Sequence, residues 1–168
     1  MMRANLGFAT AQPGDEPIGL DRVGLFRLAE TDMTLFFRHL AGVVATESPE
    51  QAMAHLAPAF YGEGPGNEAR PAFEQWLGRY LARLQQERSR DDERLAAMNR
   101  VNPLYVLRNY LAQLAIDKSG QGDHSGLHEL MEVLKNPYTE QAGKAHLAGK
   151  RPDWARTRPG CSMLSCSS

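Results

Sequence analysis

The chain has 168 residues, 42% hydrophobic and 23% charged side chains, and a formal net charge of −1. That length fits one domain of ordinary size, and the charge balance gives no general reason to expect nucleic-acid or membrane binding. No run of about 18 apolar residues marks a transmembrane helix, and residues 1–8 lack the long apolar core of a secretory signal, so the expectation is a soluble, cytoplasmic protein.

Residues 9–20 hold Pro13, Gly14, Pro17 and Gly19 and read as a loop or linker. From Asp21 to Val44 the pattern is helical, with a break near Glu30. Asp32 is placed as an N-cap, and Met33, Phe36, Phe37 and Leu40 recur at helical spacing. Ser48 followed by Pro49 starts a second helix, because proline at the first helical position loses no needed amide. It carries Met53, Leu56 and Phe60 and ends at the glycine-rich run 62–66.

The strongest signal follows Pro71. Phe73, Trp76, Leu77, Tyr80, Leu81 and Leu84 form one apolar stripe, with Glu74, Arg79, Arg83 and Glu87 assigned to the opposite face. Burying six such side chains at roughly 1.5–3 kcal/mol each requires a packing partner, for which the helix expected from Pro103 to Asp117 is the candidate. Between them, a helix after Asp91 is expected to turn Leu95, Ala96 and Met98 inward. Leu104, Leu107, Leu111 and Leu114 make the stripe of the helix from Pro103. Ser125 is expected to cap a last helix bearing Leu127, Leu130, Met131 and Leu134, closed by Asn136-Pro137. Residues 138–168 lack periodicity and are expected to wrap a partner surface or stay mobile. The expectation is an all-α fold of about five to seven helices with an extended, irregular C-terminal tail. Its organisation reads as an N-terminal segment 1–20, a helical domain 21–137 and a tail 138–168.

Self-contained catalysis is not legible. Gly62, Gly64 and Gly66 follow a helix rather than a strand, which is unlike a phosphate-cradling loop. His124 and His128 stand at i, i+4, a metal-compatible spacing, but read as a solvated helix start. Glu87, Asp91, Asp92 and Glu93, interleaved with Arg88, Arg90 and Arg94, read as an ion-paired helix junction rather than a Mg²⁺ cluster. Lys144, Lys150, Arg151, Arg156 and Arg158 face only Asp153 between residues 141 and 160. They suit an acidic groove of a larger protein better than a nucleic acid. Cys161 and Cys166 are open to two readings: reactive thiols beside arginines, or unremarkable thiols near a chain end.

Four segments then carry a resemblance. Asn102-Pro-Leu-Tyr-Val-Leu-Arg-Asn109, Glu132-Val-Leu-Lys-Asn-Pro-Tyr138, Ser165-Cys-Ser-Ser168 and Asp32-Met-Thr-Leu-Phe-Phe-Arg38 occur in the order seen in the SelO (YdiU-type) family. The opening Met1-Met-Arg-Ala-Asn-Leu-Gly-Phe8 resembles an interior Met-Arg-x-Lys-Leu-Gly-Leu of that family, with Asn5 where lysine is usual. The resemblance implies a kinase-like enzyme that transfers AMP from ATP to protein hydroxyls with a divalent metal such as Mg²⁺. It implies that this chain is a C-terminal helical fragment of such an enzyme, with its kinase-like catalytic lobe and protein substrates as partners. The nucleotide and metal motifs lie before the matched region, so no catalytic, cofactor-binding or metal residue is assigned here, and no ATP or Mg²⁺ is expected on this chain alone. Cys166 matches the family's redox-active terminal position, taken by selenocysteine in animal mitochondrial members. Its implied disulfide partner lies in the catalytic region, which leaves Cys161 as the candidate within this chain. A free-standing helical binding module and a decayed remnant are the alternative readings.

Overall fold

The structure, a computed structural model, describes residues 2–87 and 89–161. It is all-α, as the periodicities require. Among the described residues, seven helices of eight residues or more follow a one-turn helix at Met2–Asn5. The chain divides into two compact units, one from Met1 to Asn102 and one from Pro103 onward.

In the first unit, α1 (Met2–Asn5) is followed by α2 (Asp15–Leu28), α3 (Met33–Leu40), α4 (Pro49–Leu56), α5 (Arg70–Gln86) and α6 (Asp91–Asn99). All six residues of the α5 stripe are buried, and they meet α2 and α4. The aromatic members do more than fill volume. Trp76 stacks on Tyr80 with ring centroids 5.4 Å apart. The Trp76 indole N–H donates to the Ile18 carbonyl at 2.9 Å, and the Tyr80 hydroxyl donates to the Leu6 carbonyl at 3.1 Å. Each ring thus buries an apolar body and satisfies its polar edge, which aromatic residues require in a core.

Helix starts follow their caps. The Asp32 carboxylate accepts from the Leu35 amide at 3.0 Å. At α4, the Ser48 hydroxyl accepts from the Gln51 amide while the Gln51 side chain accepts from the Ser48 amide, a reciprocal capping box. The start of α2 departs from expectation. It begins at Asp15, six residues before the expected Asp21, because Pro17 lies in the first turn, where the amide it lacks has no intrahelical acceptor. Gly19 also belongs inside this helix: a Cβ there would lie 2.0 Å from the Met2 sulfur, so its absence lets α1 pack close.

In α6 the inward residues are Arg94 and Met98; Leu95 and Ala96 are exposed, contrary to expectation. The Arg94 guanidinium donates to the Val43 carbonyl and to Asp91. A buried arginine with those acceptors occupies the face that hydropathy alone assigns to its apolar neighbours.

The second unit is built on α7 (Asn109–Gly120) and α8 (Ser125–Lys135), which pack together. Its core holds Tyr105, Tyr110, Leu111, Ala115, Leu130, Val133, Leu147, Ala155 and Cys161. Pro103 does not begin α7. The Leu104 and Tyr105 amides donate to the Pro137 carbonyl at 2.7 and 3.0 Å, so residues 103–108 form a non-helical approach tied to the end of α8. Leu107 and Leu114 of the stripe read after Pro103, and Leu127 and Met131 of the last helix, are exposed. Ser125 is the first helical residue rather than the cap, and its amide donates to Asp123 at 2.9 Å. The segment after α8 is irregular, with 3₁₀ turns at Ala145–Leu147 and Asp153–Arg156. Through residue 161 it folds back on this unit's own core.

Candidate functional site

The charged residues assigned to the outer face of α5 hold the first surprise. Arg83 and Glu87 are buried, as is Asp15. Arg83 Nε donates to Asp15 Oδ1 at 2.6 Å, and its Nη2 lies 2.6 Å from Glu87 Oε1 and 2.9 Å from the Thr10 carbonyl. Glu87 also accepts from the Thr10 hydroxyl at 2.8 Å and the Thr10 amide at 3.2 Å. The guanidinium stands 4.7 Å from the centroid of the Phe8 ring. Burial pushes the Asp15 carboxyl up, but hydrogen bonds from Arg83 and the Gln12 amide outweigh it and leave the acid below its ordinary range. Burial likewise pushes Glu87 up, and Thr10 together with Arg83 brings it below its ordinary range. Burial opposes the Arg83 charge, and the two carboxylates reverse that effect and raise its pKa. This network ties residues 8–15 to α5.

A second node gathers three of the motif segments. Asn102, almost fully buried, accepts from the Asn5 side chain at 2.7 Å and donates to the Asn5 carbonyl at 3.0 Å. Arg38 Nη1 reaches the Asn99 and Asn102 carbonyls at 3.4 and 3.3 Å. Asn5, Arg38 and Asn102 come from the segments 1–8, 32–38 and 102–109. In the second unit the segment 132–138 meets 104–105 through the Pro137 carbonyl. The motifs therefore act, in each unit, as fasteners between distant stretches of chain.

Of the redox candidates, Cys161 is free and buried against the second core, so the reading of an exposed thiol does not hold for it. Cys166 lies outside the described residues. Among the tail cations, Lys144 pairs with Glu129 at 2.7 Å and Arg158 with Asp117 at 2.5 Å. The guanidinium of Arg158 also lies 5.6 Å from the centroid of the Trp154 ring. Both pairs use acids of the same unit. The Lys144 hydrogen bond lowers the Glu129 pKa against a smaller opposing effect of burial.

Among the described residues the acids of the α5–α6 junction are engaged by neighbouring groups. The acids 87–93 are dispersed: Glu87 serves Arg83, Asp91 serves Arg94 and the Ala45 amide, and Asp92 pairs with Arg90 at 2.7 Å. Among the described residues no three His, Cys, Asp or Glu side chains converge as a metal site, and no helix is long and apolar enough to cross a membrane.

The family model described as "Protein adenylyltransferase SelO" matches residues 1–135. A protein of Tolumonas auensis named "Protein nucleotidyltransferase YdiU" is 51% identical over 168 residues, which is 100% of this chain and 32% of that protein. Its namesake in Xanthomonas euvesicatoria pv. vesicatoria is 50% identical over 165 residues, 98% of this chain and 31% of that protein. The namesake in Xanthomonas oryzae pv. oryzae strain PXO99A is 48% identical over the same shares. The chain thus spans about a third of the length of the curated relatives it matches.

Proposed function

Because the chain belongs to the SelO family, we propose that it serves as a non-catalytic helical part of an enzyme that transfers AMP from ATP to protein hydroxyls. The observation that carries this reading is how its buried charges are used. Asp15, Asp32, Arg83, Glu87 and Arg94 are the buried charged residues among those described, and each holds another stretch of the same unit. Asp32 caps α3 and accepts from the Tyr61 hydroxyl at 3.3 Å. Groups committed in this way brace a fold; they are not poised to orient a triphosphate or its metal.

In this reading ATP and Mg²⁺ bind on the kinase-like lobe, the protein substrates meet that lobe, and Cys166 is a thiol whose oxidation state modulates the whole enzyme. A free-standing binding module fits less well. In the first unit Leu20 and Leu28, and in the second Leu107, Ile116 and Met131, are each more than half exposed, an apolar load that suits a part covered by more polypeptide.

The test is transfer of labelled AMP from ATP and Mg²⁺ to a protein acceptor. This chain alone should transfer none and show no saturable micromolar ATP binding by calorimetry. Transfer above a buffer control would mean that an active site is present and would end the non-catalytic reading.

A further inference from the structure

The first unit carries a concave site that its own network leaves open. Segment 4–9 and the chain from α6 to Val101 line a cleft of about 480 Å³, with Ala4, Gly7, Phe8, Ala97, Arg100 and Val101 in its wall beside the charged Glu93 and Arg94. Three features shape it. The wall is largely apolar. Its side chains are short at Ala4, Gly7 and Ala97, so the concavity comes from missing volume. It is also fixed in place: Phe8 lies under Arg83, and Gly7, at φ +77°, stands where a Cβ would be 2.7 Å from the Met98 sulfur and 2.8 Å from Arg94 Cγ. The backbone there has a conformation that glycine adopts readily, and it approaches α6 as closely as the side chains permit.

We propose that this cleft seats an apolar segment of the enzyme's remaining polypeptide, one or two large aliphatic or aromatic side chains entering between Ala4 and Ala97, with polar neighbours meeting Glu93 and Arg100. This rests on the reading that the chain works as part of a SelO-type enzyme. The occupant follows from length: the relatives are about three times as long as this chain, so most of their polypeptide lies outside the matched part and must pack somewhere. The exposed apolar residues of α2, Leu20 and Leu28, do not line this cleft, and exposure alone gives no pocket for an anchoring side chain. A rigid concave site lined by small residues does.

The experiment uses a chimera in which this chain replaces the matched third of the Tolumonas auensis protein. It carries the photo-cross-linker p-benzoylphenylalanine at the exposed Val101 or, as a control, at Leu20. The expected result is a cross-link from position 101 to a peptide of the same polypeptide outside this chain's residues, several-fold more abundant than from position 20. A cross-link only within this chain, one that joins two copies, stronger coupling from position 20, or none at all would overturn the proposal. AMP transfer by the same chimera is scored separately. Cross-linking without transfer would count against the functional reading and leave the cleft standing; transfer without cross-linking would do the reverse. Hydroxyl-radical footprinting of the two unaltered proteins provides a reading independent of the chimera. The segment of the intact Tolumonas protein matching residues 93–101 should be oxidised several-fold less than the same segment of this chain alone. Equal oxidation would overturn the proposal.

Discussion

Arg83 and Asp15, 68 residues apart in sequence, meet at 2.6 Å with both side chains withdrawn from water. Asp15 is the first residue of α2 and Arg83 lies in the last turn of α5. One contact therefore joins the beginning of one helix to the end of another, and Glu87 and Thr10 complete it.

Truncating one partner strands the others. Arg83→Met leaves two buried carboxylates without their cation and should cost about 3–5 kcal/mol. Urea denaturation followed by circular dichroism measures this. The triple variant Asp15→Asn, Arg83→Met, Glu87→Gln should lose less than Arg83→Met alone, since no uncompensated charge remains. Equal losses in both variants would show that packing of the arginine stem, not the charge network, is what matters.

The same network sets an acid limit. Asp15 and Glu87 are held below their ordinary ranges in the fold, so in acid the unfolded chain binds more protons than the folded one and stability falls as pH drops. Their contribution should be fully present above about pH 5 and decline below roughly pH 4, as the solution passes the unfolded carboxylate range and then the lower folded values. The measurement is the urea midpoint between pH 2.5 and 7. In Asp15→Asn, Glu87→Gln the acid slope should flatten; an unchanged slope would assign the acid sensitivity to other carboxylates.

Two glycines should respond with opposite signs. Gly24 sits inside α2 with open space where a Cβ would be, so Gly24→Ala should stabilise by up to about 1 kcal/mol through helix propensity. Gly7 has φ +77° and a crowded Cβ position, so Gly7→Ala should destabilise by about 1 kcal/mol or more. Thermal melts of the two variants decide the matter; stabilisation by Gly7→Ala would contradict the close approach of segment 4–9 to α6.

Cys161 is buried, so in a Cys166→Ser background it should react with a thiol reagent far more slowly in native buffer than in denaturing urea. Equal rates would place the thiol at the surface.

The stripe of α5 and the caps at Asp32 and Ser48 were legible because they are local: period, capping residue and a following proline lie within a few positions of one another. Arg83 and Glu87 were assigned outward because charged residues are rarely buried unless paired, and no local pattern reveals a pair whose acid lies 68 positions away. The early start of α2 was hidden by Pro17 and Gly19, whose usual meaning is a loop. Residues 103–108 show helical spacing, yet the Pro137 carbonyl takes the amides of Leu104 and Tyr105. The buried position of Cys161 had no signal at all, since the segment before it has no period to read. What the resemblance segments do became visible only in space, where Asn5, Arg38 and Asn102 meet.

The Pro137 carbonyl that receives Leu104 and Tyr105 has a consequence for synthesis on the ribosome. Both amides leave the peptidyl-transferase centre before their acceptor exists. At roughly 5–20 residues per second, Pro137 is added roughly 2–6 s after Tyr105. During that interval the entry to α7 has no native acceptor for these two donors, while α7 itself can already coil. These two donors cannot reach their native acceptor until Pro137 has been made, and the bonds of Gln141, Lys144 and Arg158 within the same unit must wait for residues made later still.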